Sequence, residues 1–323
     1  MPEIIVFIIS LAALFKGADL LGSSAVKIAS RLGIPKILIG ATLVSVATTL
    51  PEIFVSFFSG LDKEPDIAIG TILGSPITNL GLIMGLLFIF GRSEPSKGQF
   101  TRTINILIFT SLIVLALLFK GQVGQLDSLL LTVVALVYLF LEFFISKHEE
   151  GFIDQIENSL TKVGLYLKDG YEGVKDLGGV ILGAFVLAAG ANFLVISTVT
   201  ISSLLNVPEI LIAASAIAIG TSLPELATAA NSIIYKREAV SIGNLAGASI
   251  IDLTLGVSAG AIINPLLVNE KMLFISLGLL LVICFLSLGT VYTKLPTKRV
   301  GLFLCGAYLL FLVALMLGGL GTH

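Results

Sequence analysis

Two of the Pro-Glu pairs in this chain match each other at one fixed offset, each with its glutamate inside an apolar stretch. Thr48-Thr49-Leu50-Pro51-Glu52 is answered 173 positions later by Thr221-Ser222-Leu223-Pro224-Glu225. A carboxylate at membrane depth costs several kcal/mol, so it marks a functional position by default. A proline inside a helix removes one donor and clashes with the carbonyl about four residues back. Pro51 therefore disturbs the carbonyls near Ala47 and Thr48, and Pro224 those near Gly220 and Thr221. Freed carbonyls are tolerated at that depth only where they are buried in protein or line a polar cavity. With the hydroxyls of Thr48, Thr49, Thr221 and Ser222 they make an all-oxygen ligand set, suited to a hard cation such as calcium or sodium.

Two glutamates from symmetry-related spans repel each other in a low-dielectric core. Either one stays protonated or a cation bridges them, and a divalent ion neutralises both charges at once. Calcium between Glu52 and Glu225 is the economical reading, with protons and monovalent ions as competitors for the same oxygens. A second layer follows on the next spans, where Gly74-Ser75-Pro76-Ile77-Thr78-Asn79 matches Gly247-Ala248-Ser249-Ile250-Ile251-Asp252. Asn79 and Asp252 then present an amide and a third acidic group at equivalent depth. For Asn79 and Ser75 the bland reading is interhelical hydrogen bonding. Small residues at Gly70, Gly74, Gly81, Gly85, Gly243, Gly247 and Gly256 allow close helix approach.

The elements that must hold these residues are membrane spans. The chain is 56% hydrophobic and 12% charged, with a mean hydropathy of +1.06, against about 25% charged residues in soluble domains. Stretches of roughly 20 apolar residues recur along its whole length. They fall at about 3–25, 36–60, 66–91, 103–120, 126–146, 178–203, 208–234, 240–264, 272–292 and 300–320. The expected fold class is an all-α integral membrane protein of ten transmembrane helices arranged as two inverted five-helix repeats. The repeats occupy 1–146 and 178–323, with their core motifs at 40–85 and 213–258. Gly17-Ala18-Asp19 with Gly190-Ala191-Asn192, and Pro35 with Pro208, keep the same offset. Five spans per half, an odd number, force opposite topology, as in secondary transporters.

The polar segment 147–177 carries Phe152, Ile153, Ile156, Leu160, Val163 and Leu167 near helical spacing. It reads as an amphipathic helix on the membrane surface or on the protein. One set of loops holds Lys27, Arg31 and Lys36; Arg92, Lys97 and Arg102; Lys147, Lys162, Lys168 and Lys175; Lys236 and Arg237; and Lys294, Lys298 and Arg299. The opposite set holds only Lys63, Lys120 and Lys271. By the positive-inside rule the first side is cytoplasmic, which places 147–177 in the cytoplasm and both termini outside a cell membrane. Asp19 and Glu142 are expected to snorkel to water near span ends. Lys16 is either paired with Asp19 or at a span boundary.

Other classes are excluded or unsupported. The basic residues are thinly spread among short loops, with no nucleic-acid signature. Cys284 and Cys305 lie in apolar stretches as packing residues, without disulfide or metal-ligand spacing. The N-terminus lacks the basic region of a cleavable signal peptide. His148 and His323 lie in a loop and at the terminus, and no nucleophile–base pair suggests an enzyme. No cofactor is called for, and the expected partners are the transported ions and the lipid bilayer, with a monomer as the working unit.

At these residues the chain resembles the sodium/calcium exchanger family of the cation/calcium antiporter superfamily, in its compact prokaryotic form. Ala47-Thr48-Thr49-Leu50-Pro51-Glu52 is similar to that family's first repeat, usually Gly-Thr-Ser-hydrophobic-Pro-Glu, and Gly220-Thr221-Ser222-Leu223-Pro224-Glu225 matches the second without change. The resemblance covers essentially the whole chain. It implies antiport of calcium against sodium by alternating access, with Glu52 and Glu225 as central calcium ligands helped by Thr48 and Thr221. It further implies that Asn79 and Asp252 line the centre, that Thr49, Ser222 and Ser75 contribute to flanking sodium sites, and that spans one and six slide as a gating pair.

Three departures stand out. Ala47 and Thr49 replace glycine and serine, and Pro76 follows Ser75 where it is expected to kink the third span. Where the family reads Gly-Ser-Asn, this chain has Gly247-Ala248-Ser249, so one expected hydroxyl is missing. Ser249 points about 100° away on a helix and is not an automatic substitute. The counter-ion therefore stays open between sodium and a proton carried by Glu52, Glu225 or Asp252. The proton-coupled branch typically has Asn-x-x-Glu in place of Leu-Pro-Glu, which favours sodium. A passive channel fits paired central carboxylates less well than an occluding carrier.

Overall fold

The computed structural model describes residues 2–31, 44–91, 97–146, 170–234, 238–267, 270–292 and 296–319. The described chain is helical apart from two short antiparallel strands, β1 (Gln122–Val123) and β2 (Leu266–Leu267), which pair Gln122 with Leu267. In chain order the helices begin with α1 (Pro2–Arg31), α2 (Val44–Thr48), α3 (Leu50–Asp62) and α4 (Pro65–Ile77). A π-helical turn (Thr78–Ile83) leads to α5 (Met84–Phe90), α6 (Lys97–Leu118) and α7 (Gln125–Ser146). The second half contains α8 (Gly170–Leu205), α9 (Glu209–Ile212), a π turn (Ala213–Ile217), α10 (Ala218–Thr221) and α11 (Leu223–Ile234). It continues through α12 (Glu238–Ile251), a π turn (Asp252–Gly256), α13 (Val257–Ala261), α14 (Glu270–Tyr292) and α15 (Thr297–Gly319).

Eight of the described helical rods are long and apolar enough to cross a membrane. The pair Glu209–Thr221 and Leu223–Ile234, bent by 43°, makes a ninth. Helices suit this composition because every backbone group is satisfied within the segment, with no water to replace it. The expected span at 36–60 is described only from Val44 onward. Of the expected 147–177 segment, 147–169 lies outside the described residues, while 170–177 forms the first turns of α8 rather than a separate element.

Burial separates the rods into two layers. Within Pro65–Phe90 and Ser241–Ala261, 83% and 78% of the most apolar window is buried, against 28–44% for the other unbroken spans. These two rods are the centre, and the rest face outward with residues such as Phe140, Phe185 and Leu310. Close approach at the centre depends on glycine. A Cβ on Gly74 would stand 2.7 Å from the Ala214 carbonyl oxygen, so α4 and the Ala213–Ile217 turn meet backbone to backbone. Gly243, by contrast, meets only the end of Gln99 at 3.6 Å.

The outer pair α1 and α8 run together along their length. A Cβ on Gly17 would sit 2.6 Å from the Leu187 nitrogen, and Arg31 pairs with Asp176 at 3.1 Å. Expectations for three charged residues are corrected here. Glu142 does not reach water: it is buried and accepts from Arg102 at 3.2 Å, an ion pair between α6 and α7. Asp19 lies near the middle of the 30-residue α1 rather than at its end. Nor does Lys16 pair with Asp19, since its ammonium lies over the Phe15 ring, 6.0 Å from the centroid.

Candidate cation site

The two Pro-Glu motifs break their helices in the same way. Thr49 has φ −89° and ψ 0°, and Ser222, 173 positions on, has φ −81° and ψ 9°. Each break lets a new helix begin with Leu-Pro-Glu, where the missing proline N–H falls among the donors that no helix uses anyway. The carbonyls one turn back at Ala47 and Gly220 lose their usual donor. The bends are still spanned by backbone bonds, Thr49 N–H to Ser45 O at 3.3 Å and Ser222 N–H to Ala218 O at 3.2 Å. The distortion is therefore confined to one residue in each rod.

The central rods repeat a second distortion. The turns Thr78–Ile83 and Asp252–Gly256 are π-helical, with Asn79 second in one and Asp252, 173 positions on, first in the other. Such turns widen a helix locally and occur frequently at functional sites. Each turn packs across to the other half. The turn bearing Asn79 meets α11, which carries Glu225, and the turn bearing Asp252 meets α3, which carries Glu52. Pro76 sits within α4 one residue before its end, so the expected irregularity in the third span takes the form of the π turn that follows.

Glu52 and Glu225 are each 1% exposed and Asp252 0%, and none of their six carboxylate oxygens has a hydrogen-bond partner. The turn bearing Asp252 and α10, which leads into Glu225, both pack on α3, which carries Glu52. Both polar atoms of Asn79 and the hydroxyls of Ser75 and Ser222 are likewise buried and without partners. Thr221 and Ser75 stand beside Glu52, and Thr48 beside Glu225. The threonine protons are used elsewhere: Thr48 donates to Ser45 O at 3.1 Å and Thr221 to Ile217 O at 3.0 Å. Their oxygens therefore reach the centre as acceptors only.

An unsatisfied buried polar group costs about 1–3 kcal/mol, and a charged one more. Oxygens in this number and density do not balance one another and call for a cation or protons. Among the described residues no three carboxylate, imidazole or thiolate side chains converge closely enough to cage a metal by themselves. A cation held here would therefore be completed by hydroxyl, amide and carbonyl oxygens, the donor set of hard cations.

Not every expected residue is placed alike. Thr49 is fully buried, but its hydroxyl donates to the Ser45 and Val46 carbonyls, both at 3.0 Å. Ser249 donates to Leu245 O at 2.8 Å, back onto its own helix. Three polar residues not singled out from the sequence also belong to this region. Ser45 donates to Asn244 Oδ1 at 2.7 Å, tying α2 to α12 one turn from Thr48. Thr71, equivalent to Asn244 by the same offset, is buried with an unpartnered hydroxyl. The offset itself was the signal for that pair, extended one turn beyond the motif.

A multi-pass helical membrane protein with paired, buried acidic groups on broken central helices is a secondary transporter rather than an enzyme. The chain belongs to the sodium/calcium exchanger protein family, whose model matches residues 3–144 and 175–317. This is a family of cation/calcium antiporters that move calcium and sodium without a cofactor. The chain is 29% identical over 313 residues to the inner membrane protein YrbG of Escherichia coli, covering 95% of each chain. It is 26% identical over 341 residues to the sodium/calcium exchanger MaX1 of Methanosarcina acetivorans, covering 96% of this chain and 97% of that protein. The fold is similar to that of the sodium-calcium exchanger NCX_Mj, with a TM-score of 0.66 and 21% identity over 97% of this chain and 98% of the other.

Proposed function

We propose that this protein exchanges calcium for sodium across a cell membrane by alternating access, with Glu52 and Glu225 holding the calcium ion between them. The observation that carries the reading is the set of unpartnered carboxylate oxygens contributed by two motifs at the same offset. A divalent ion satisfies both glutamates at once. Thr48 and Thr221 complete its shell with lone pairs, their protons being held by backbone carbonyls. Asn79 and Asp252 line the centre, and Ser75, Ser222 and Thr49 serve flanking sodium positions. Sodium and calcium then compete for one acidic centre, and competition is what couples their movements.

The architecture that goes with this function is ten spans in two five-helix halves of opposite orientation, 1–146 and 178–323, working as a monomer. The basic loops face the cytoplasm with the 147–177 segment, and both termini lie outside. Matched breaks at Thr49 and Ser222 and matched π turns at Asn79 and Asp252 support the two-half reading. The relative MaX1 is itself described as a sodium/calcium exchanger.

A proton/calcium antiporter is the second reading, favoured by one observation. Ala248 leaves a methyl, 0% exposed, where Ser75 supplies a hydroxyl in the other half. The two readings are separated by radiolabelled calcium uptake into proteoliposomes, first with an outward sodium gradient and then with an outward proton gradient. Uptake with sodium is expected. Uptake with the proton gradient alone would replace sodium by protons, and uptake without any gradient would indicate a channel.

A further inference from the structure

A cavity of about 300 Å³ lies between α1, α2 and α11, outside the acidic centre. Its polar wall is formed by Asp19, Ser23, Thr48, Thr228 and Asn231. Thr48 lines it and also stands beside Glu225. The wall runs along α1 toward Arg31 and along α11 toward Ile234, so the cavity extends toward the basic loops.

Asp19 is the unusual member. It is exposed to this space and, among the described residues, has neither a hydrogen bond nor an ion pair. In a helix spanning Pro2–Arg31 it lies only about 4 Å from the midpoint at 1.5 Å per residue. A charge at that depth is tolerated where it faces a water-filled cavity.

The same offset that relates the glutamates gives this cavity a counterpart on the other side of the centre. Asp19, Ser23, Thr228 and Asn231 map to Asn192, Ile196, Val55 and Phe58. Val55 is 0% exposed, and Phe58 packs with Phe54 onto the core formed by Leu14, Leu187 and Leu194. The cavity wall thus carries one acidic group, whereas its counterpart has Asn192 in that place and packed Val55 and Phe58 where Thr228 and Asn231 stand.

We infer that this cavity is an antechamber for the transported hydrated cation on the side of the basic loops, with Asp19 as the group that gathers the ion before it reaches Thr48 and Glu225. The inference rests on the transport reading above and adds a binding position to it. It also predicts that the two faces of the carrier differ in cation affinity, because the partner passage has Asn192 where this one has Asp19.

Two measurements test it. In a Cys284→Ser/Cys305→Ser background, Asn231→Cys is labelled with a maleimide in purified protein, with sodium or calcium chloride against choline chloride. Either cation is expected to slow labelling about fivefold when Asp19 or Asp19→Glu is present and less than twofold with Asp19→Asn, the scale of one charge acting at near contact in a hydrated space. Protection should survive Glu52→Gln. Protection lost with Glu52→Gln but kept with Asp19→Asn overturns the antechamber. In everted vesicles, where the basic face meets the medium, Asp19→Asn should raise the apparent KM for calcium about fivefold with the maximal rate within twofold. An unchanged KM, or an equal change on the opposite face, contradicts it. If the unsubstituted protein moves no calcium, the transport reading fails while the labelling still decides the antechamber.

Discussion

The two halves of the acidic centre are alike in their first layer and differ in the second. Thr48 to Glu52 and Thr221 to Glu225 share the break, the proline, the glutamate and a threonine whose proton is held by a backbone carbonyl. In the next motif of each half, Ser75 corresponds to Ala248 and Asn79 to Asp252. The shared layer suits an ion that needs both halves equally, such as a divalent cation between two carboxylates. The differing layer suits ions that sit to one side. A carrier that must bind two kinds of cation at one centre gains from symmetry for one and asymmetry for the other.

The largest effect should come from the symmetric layer. Removing one partner of a buried charge set costs about 3–5 kcal/mol. Glu52→Gln and Glu225→Gln are each expected to lower calcium uptake in proteoliposomes by about a hundredfold or more. A deep loss from one and near-normal uptake from the other would break the symmetry.

Next comes packing, where the halves also part. A Cβ at Gly74 meets the Ala214 backbone carbonyl at 2.7 Å, while one at Gly247 meets the Tyr138 hydroxyl at the same distance. Backbone cannot yield, but the end of a tyrosine can. Gly74→Ala should destabilise the protein by about 1–3 kcal/mol, and Gly247→Ala by clearly less, as read from thermal unfolding in detergent.

Smaller effects should track the second layer. Ser75→Ala removes the hydroxyl that the other half already lacks, and should weaken sodium activation about fivefold with calcium affinity changed less than twofold. Ala248→Ser should act in the opposite sense, strengthening sodium activation by about twofold to threefold. A sodium titration unmoved by both variants would show that this layer holds no sodium.

Much of this was legible in the sequence because glutamate and proline are so costly within apolar spans. Their paired presence at one offset located both breaks, and the apolar runs located the rods. The form of the irregularities at Thr78–Ile83 and Asp252–Gly256 was not legible: Pro76 announces a distortion of the third span but not a π turn, and no proline precedes Asp252–Gly256 in its helix. Glu142 was misjudged because burial depends on its partner, Arg102, which is 40 positions away. Asp19 lies mid-helix rather than near a span end because α1 continues to Arg31, and hydropathy does not fix where a helix stops. The role of Asn244 depends on Ser45, a contact that no local pattern announces.

The central claim is that one cation is held jointly by carboxylates from both halves. The most direct measurement is equilibrium binding of radiolabelled calcium to the purified protein, with sodium as competitor, for the unsubstituted chain and for Glu52→Gln and Glu225→Gln. One calcium per chain, displaced by sodium and lost in either variant, is the expected result. Undiminished calcium binding by both variants would contradict the account.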